Sequence, residues 1–283
     1  MRYSYYPGCT VGTTAIEFGL STDAVCEALG IELVELEDWN CCGASAAHNL
    51  DHELSLRLPG RNVALAQKEG LDIVAPCPAC YQHVLFADLR FREDEAWRRE
   101  MEQMLGVTYT GQGRPRHLLE VLSEPEMLTL ISQRVSRPLE GLRVASYYGC
   151  VLVRPQEFTG WDDPENPMRM DRLVEAVGGV AVDWSYKVDC CGASLALSRA
   201  DVVISLSTRL AEAAREAGAD VIACACGMCQ INLDTRQAQA DKVPALYFTE
   251  LLALALGLPV TAKLWGRHGI DPRPVLRQRG LLG

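Results

Sequence analysis

Apolar and polar positions along this chain follow two alternating rhythms. Short, mainly apolar runs at Tyr3 to Tyr6, Ile31 to Leu36, Asp72 to Ala75, Leu142 to Tyr148, Val180 to Trp184 and Asp220 to Ala223 read as strands. Longer stretches, Thr14 to Leu29, Leu54 to Lys68, Met168 to Val177 and Ala200 to Ala217, read as helices. Glycine follows helix ends at Glu69-Gly70 and Ala217-Gly218, where a left-handed C-cap suits a residue without Cβ. Strand and helix alternate, so the pattern predicts an α/β fold with largely parallel sheets, because a parallel pair needs a crossover that a helix supplies. The series of elements occurs twice, predicting two tandem duplicated α/β domains.

The cysteines make the duplication explicit. Cys41-Cys42-Gly43 precedes Cys77 and Cys80 at the same spacing as Cys190-Cys191-Gly192 precedes Cys226 and Cys229, a constant offset of 149. Flanking text agrees, with Gly43-Ala44-Ser45 against Gly192-Ala193-Ser194 and Tyr5-Tyr6-Pro7-Gly8-Cys9 against Tyr147-Tyr148-Gly149-Cys150. The second copy carries eight more residues between its first cysteine and its pair, and Phe158 to Pro167 is the expected excess. Proline and glycine bracket a linker expected at Ser136 to Gly141, dividing the chain into residues 1–138 and 139–283. Cys26 and Cys224 have no partner in the other copy. Cys26 falls in a helical pattern as a core residue, and Cys224 reads as a small residue ending a strand, with ligation as its alternative.

Composition narrows the chemistry. A chain of 283 residues with 48% hydrophobic content buries its own cores, so twelve cysteines are not needed as disulfide staples. The Met1 to Gly8 start has no basic region followed by an apolar one, which argues against a secretory signal and for the cytoplasm. The run Leu251 to Val260 is too short for a membrane helix. A formal charge of −10, from 27 basic against 37 acidic residues, opposes nucleic acid or an anionic membrane surface as the main partner. Metal or redox chemistry then leads. Thiolates are soft ligands for zinc, copper(I) or iron–sulfur clusters. Structural zinc closes with four ligands in short-spaced pairs, and only Cys77/Cys80 and Cys226/Cys229 have that form. A cubane cluster also uses four, and the ferredoxin run is absent. Five cysteines per copy, two of them adjacent, suit a larger or unusual cluster.

The pattern C-x31-CCG-x33-C-x2-C from Cys9 to Cys80, with C-x39-CCG-x33-C-x2-C from Cys150 to Cys229, resembles the cysteine-rich CCG-domain proteins, specifically the B subunit of heterodisulfide reductase. Tyr148-Gly149-Cys150, Asp162-Asp163-Pro164-Glu165-Asn166-Pro167 and Cys226-Gly227-Met228-Cys229-Gln230 carry the resemblance further. The resemblance implies two noncubane [4Fe-4S] clusters near a cleft between the lobes. One would be held by Cys9, Cys41, Cys42, Cys77 and Cys80, the other by Cys150, Cys190, Cys191, Cys226 and Cys229. It also implies a disulfide held between the lobes, with one electron supplied from each side, in either direction of reaction. The substrate would be the coenzyme B–coenzyme M heterodisulfide or a related disulfide or sulfur carrier. The implied partners are a ferredoxin-like C subunit with cubane clusters and a flavin-containing A subunit. Two other classes compete: an iron–sulfur protein passing electrons from a dehydrogenase towards quinone, and a structural zinc protein.

Smaller signals are open to plainer readings. Gly43 and Gly192 suit close backbone approach to the clusters or an ordinary tight turn. His48 and His83 lie near ligands in sequence and are candidates for proton delivery, although partnered or exposed histidine is the default. His48 and His52 have helical metal spacing without a third ligand and read as surface residues. Phe91 to Glu100 reads as a solvated helix, with docking as its alternative, and the loop at Trp161-Asp162 as a substrate cover or a contact with a neighbouring protein. Gly111-Gln112-Gly113-Arg114 is too short for a dinucleotide fingerprint, and no flavin or nicotinamide site is visible.

Overall fold

The computed structural model describes residues 1–44 and 47–282, without the side chains of His48 and Ala262. Among the described residues, β1 (Arg2–Tyr5), β2 (Glu32–Glu35), β3 (Ile73–Ala75) and β4 (Pro115–His117) form one sheet in the order β2-β1-β3-β4. β5 (Arg143–Tyr147), β6 (Val180–Ala181), β7 (Val221–Cys224) and β8 (Ala245–Tyr247) form a second in the order β6-β5-β7-β8. Every pairing is parallel, with the same topology in both lobes. The inner strands β3 and β7 are apolar and buried throughout, as parallel strands covered on both faces must be.

In each sheet the connections leave β1 and β5 to one side and return on the other. A crevice results at the C-terminal ends of β1 and β3, and likewise of β5 and β7, where open α/β sheets hold ligands. The first cysteine of each copy follows β1 or β5, and the C-x-x-C pair follows β3 or β7.

The lobes interlock. The helix Ile16–Leu29 of the first packs on Phe248–Ala255 of the second, while Arg169–Ala176 of the second packs on Leu118–Leu122 and Pro125–Arg134 of the first. Phe18 stacks on Tyr247 with ring centroids 4.4 Å apart, and Ser21 Oγ meets Thr249 Oγ1 at 2.7 Å. The reciprocal stack is Trp161 on His117, nearly parallel at 6.5 Å. Thus the inserted loop of the second copy covers the first lobe of its own chain. The apolar run from Leu251 lies in a helix buried along its whole length, which is why it reads as strongly hydrophobic without being a span. No described helix is long and apolar enough to cross a membrane.

Three expectations change. Phe91 to Glu100 is not one solvated helix: the chain breaks at Asp94, whose carboxylate accepts the Trp97 N–H at 2.9 Å, and a second helix, Glu95–Leu105, begins. That helix buries Trp97 and Met101 on Gly60, where a Cβ would stand 3.0 Å from the Trp97 ring. Strands β4 and β8 were absent from the pattern because three residues cannot display an alternation, and β4 contains proline and arginine. The linker is embedded in the packing: Ser136 and Arg137 N–H groups donate to Ala255 O at 3.0 and 2.9 Å, and Leu139 is buried.

Candidate functional site

Both copies gather their five cysteines at the sheet crevices in matching arrangements. In the first lobe Cys9 and Cys41 Sγ atoms lie 4.0 Å apart, Cys42 and Cys80 3.6 Å apart, and the free thiols of Cys77 and Cys80 share a hydrogen bond. In the second, Cys191 and Cys229 are 3.4 Å apart, and the free thiols of Cys150 and Cys190, and of Cys226 and Cys229, share hydrogen bonds. One edge of each set is open, since Cys9, Cys41 and Cys190 are exposed and Cys150 half-buried; the opposite edge, Cys42, Cys77, Cys80, Cys191 and Cys229, is buried. The sites adjoin the seam between lobes. A Cβ on Gly227, next to Cys226, would stand 3.1 Å from Ala15 Cβ and 3.4 Å from Thr10 Oγ1, next to Cys9.

Residues around the cysteines are built for sulfur. Gly8 and Gly149 have φ of +71° and +73°, and a Cβ there would lie 2.7 Å from Cys80 Sγ or 3.1 Å from Cys229 Sγ. Gly43 and Gly192 also take left-handed turns, and their N–H groups face Cys41 Sγ at 3.5 Å and Cys190 Sγ at 3.3 Å. Tyr6 and Tyr147 hydroxyls donate to Asn40 O at 2.8 Å and Asp189 O at 2.7 Å, fixing the residue before each double cysteine. Cys77 and Cys226 cap the helices Pro78–Glu93 and Gly227–Thr235, whose N-terminal dipoles favour negative sulfur. Sequence reasoning missed Gly8, Gly149, Tyr6 and Tyr147; the repeated Tyr-Tyr and Gly-Cys text was their signal.

Crowding decides the protonation of these thiols. The hydrogen bond from Cys80 holds Cys42 down at about 7 against burial, and the bond from Cys229 does the same for Cys191, also about 7. Cys190 is held at about 6 by its bond from Cys150. The donors shift in the opposite direction: Cys80 and Cys229 are pushed well above a normal thiol by those bonds and by burial. Each set therefore ionises only in part, because buried like charges repel. Full ionisation needs a shared polycation. Among the described residues no three His, Cys, Asp or Glu side chains stand at the spacing of a single ion; the sulfurs meet in pairs across a broader surface. At each site five soft donors, glycine-cleared approaches and a helix N-terminus fit a multi-iron cluster better than one tetrahedral metal.

The remaining candidates scatter. His83 is half-buried one turn beyond Cys80 on Pro78–Glu93, and at the corresponding position Asn232 Nδ2 reaches Cys191 Sγ at 3.5 Å. The His48 side chain lies outside the described residues, and His52 is exposed. Cys26 is buried in the core, its thiol pushed up to about 12 by burial and Asp23. Cys224 ends β7, fully buried, with Cys191 and Cys226 nearby and its thiol held protonated by desolvation.

Comparison with known proteins finds the same duplication. The cysteine-rich domain model CCG matches residues 3–84 and 144–234. The chain is 30% identical over 268 residues to the membrane anchor of the 8-methylmenaquinol:fumarate reductase of Wolinella succinogenes, covering 91% of this chain and 93% of that one. It is 29% identical over 269 residues to the B subunit of the ferredoxin/F420H2-dependent CoB-CoM heterodisulfide reductase of Methanosarcina acetivorans, covering 90% and 89%. A crystal structure of a hypothetical protein from Helicobacter pylori shares the fold with a TM-score of 0.74 at 12% identity, over 94% of this chain and 51% of that one.

Proposed function

Since this chain belongs to the cysteine-rich CCG-domain family, we propose that it is the disulfide-cleaving or disulfide-forming component of a heterodisulfide reductase-type oxidoreductase, working between two noncubane [4Fe-4S] clusters. The observation that carries the reading is the duplicated five-thiol site, set twice in the same geometry beside one seam. Residues 1–138 and 139–283 are the two cysteine-rich units. Cys9, Cys41, Cys42, Cys77 and Cys80 would hold one cluster, and Cys150, Cys190, Cys191, Cys226 and Cys229 the other. Bound there, the clusters supply two one-electron carriers, matching the two electrons that a disulfide consumes.

The chain's own residues supply the rest. The buried cysteines hold each site from the protein side, and the exposed Cys9, Cys41 and Cys190 leave an outer edge for a sulfur substrate to reach. Donors at Cys77 and Cys226 helix N-termini, with the Gly43 and Gly192 N–H groups, stabilise negative charge there. His48 and His83 are the proposed proton sources for departing thiols. The substrate is the coenzyme B–coenzyme M heterodisulfide or a related disulfide or sulfur carrier. Electrons come from a ferredoxin-like C subunit and, behind it, a flavin-containing A subunit; the chain itself needs a reducing compartment, the cytoplasm, to keep these thiols free.

A second reading is an iron–sulfur protein that passes electrons between a dehydrogenase and quinone. It is favoured by the relative named for menaquinol:fumarate reductase. Anaerobic metal and sulfide analysis of the full chain comes first, with about eight irons expected. Zinc without iron would overturn both readings. An iron-loaded chain that reduces disulfides with a viologen donor supports the first; one inert to disulfides but active with a quinone in its complex supports the second.

Gly8→Ala tests the cradle. The left-handed backbone costs an alanine about 1–2 kcal/mol, and its Cβ collides with Cys80 Sγ. The expected result is a folded protein with about half the wild-type iron. Full iron content would mean that Gly8 serves only the turn.

A further inference from the structure

Behind the second thiol site lies a buried polar network without a counterpart at the first among the described residues. Gln230 follows Cys229, and its Nε2 donates to Ala245 O at 3.0 Å and to His268 Nδ1 at 3.2 Å. His268 Nε2 donates to Glu250 Oε1 at 2.9 Å, and Glu250 Oε2 accepts the Tyr247 N–H at 2.8 Å. Asp234 Oδ2 stands 3.9 Å from His268 Nδ1, and the Asp234 carboxylate accepts the N–H groups of Gly269 and Ile270. These bonds strap the C-terminal segment onto the helix Gly227–Thr235. The His268 and Glu250 side chains are 1% and 0% exposed, yet Arg267 and Gly269 on either side of His268 are exposed, so water reaches the edge of the network.

The first lobe uses the same positions differently. Tyr81 stands where the second lobe has Gln230, and Glu120 where it has Glu250. Glu120 pairs with Arg114 and with Arg116 at 3.2 Å, guanidiniums that do not release protons. His117 is also buried there, but Nε2 bonds to Pro76 O and Nδ1 accepts the Leu119 N–H, and burial pushes it down to about 3, so it stays neutral.

We propose that His268, linked through Gln230 to the segment carrying Cys229, couples reduction of the second site to the uptake of one proton. The proposal rests on the two-cluster reading. When a one-electron donor reduces the second site, negative charge appears there, and His268 takes one proton from water at Nδ1, which gives up the Gln230 Nε2–H it accepts and turns its new N–H towards Asp234 Oδ2. Reoxidation releases both. The imidazolium so formed is flanked by Glu250, from the helix Phe248–Ala255, and Asp234, from Gly227–Thr235. Glu17, from Ile16–Leu29, faces it from the other lobe with Arg267 as its partner at 3.9 Å, and Cys224 and Tyr247 nearby stay protonated. Burial opposes the charge on His268, but the hydrogen bond and charge of Glu250, with Asp234 and Glu17, outweigh it and raise the imidazole above its ordinary value. A raised value places the proton change where neutral solutions can read it. The physical result is a pair of sites that differ in reduction potential in a pH-dependent way despite matching ligands.

The test is a redox titration of the anaerobic full chain, followed by electron paramagnetic resonance from about pH 6 to about pH 9. Cys191→Ser identifies the signal of the second site by removing it. In the wild type that signal should lose potential with rising pH at a slope approaching one proton per electron, and the other should change less. His268→Gln should flatten the slope, and Glu250→Gln, which keeps the shape but removes the charge beside the imidazole, should move its onset to lower pH. A slope that survives in His268→Gln, or two pH-independent signals in the wild type, overturns the proposal while leaving the clusters in place. Absence of any cluster signal overturns the two-cluster reading instead.

Discussion

Serine in place of Cys42 or Cys191 should cut iron from about eight to about four per chain and lower disulfide turnover at least about 100-fold. Both residues are buried, with Sγ 3.6 Å from Cys80 Sγ in one lobe and 3.4 Å from Cys229 Sγ in the other. Both thiols are held near 7 by those bonds, below an ordinary thiol, so they serve readily as thiolates. A serine hydroxyl is harder and far less acidic, so it cannot replace a soft anionic ligand. The steep loss from either lobe alone follows from the electron count: one remaining carrier cannot supply two electrons at once. Cys26→Ala is the matched control. Cys26 is buried in the helix Ile16–Leu29 away from the thiol sets, so its removal should leave a small cavity costing on the order of 1 kcal/mol and full iron. Iron counted anaerobically beside turnover separates the outcomes. Turnover that persists with one cluster missing would defeat cleavage between two sites and favour serial electron transfer.

The cysteine spacing carried most of this site because ligands are fixed by chemistry and not by packing. Ten thiols recur at matching positions, and the two that do not, Cys26 and Cys224, end up buried in the core and at a strand end. Long amphipathic helices such as Ala200–Glu216 were legible for a similar reason, since their period repeats over several turns. What stayed hidden depends on contacts between distant segments. Nothing local in Phe18 or Trp161 says that each will stack on the last strand of the other lobe. The buried Trp97 and Met101 sit among charged neighbours, so the polar face of their helix masked the apolar one. His268 shows the limit most clearly. It lies 38 positions beyond Gln230, outside both cysteine sets, and only the folded chain brings the two together.

Lys187→Met should cost roughly 3–5 kcal/mol of stability, the usual penalty for leaving one partner of a buried ion pair uncompensated. Lys187 Nζ lies 2.9 Å from Asp171 Oδ1 with the two side chains only 3% and 2% exposed, and it also donates to Pro167 O at 3.2 Å. The Asp171 carboxylate accepts the Tyr148 hydroxyl at 3.2 Å, and Lys187 O accepts the Tyr148 and Gly149 N–H groups at 2.8 and 3.1 Å. Those bonds hold the arm that presents Cys150 against the loop that leads to Cys190. Losing the ammonium leaves a buried carboxylate without its counter-charge, and the least costly relief is to open this arm to water. The damage should therefore fall unevenly, with lower unfolding free energy in denaturant and iron lost from the second site before the first. Adding Asp171→Leu to Lys187→Met should recover much of the stability, because an apolar pair of similar volume replaces a buried ion pair at little net cost. Recovery of stability without recovery of iron would separate the two roles, since leucine cannot orient the Tyr148 hydroxyl. A single variant that loses less than about 1 kcal/mol, the range of an exposed pair, would mean that water already reaches Asp171 and that the arm is held by backbone bonds alone.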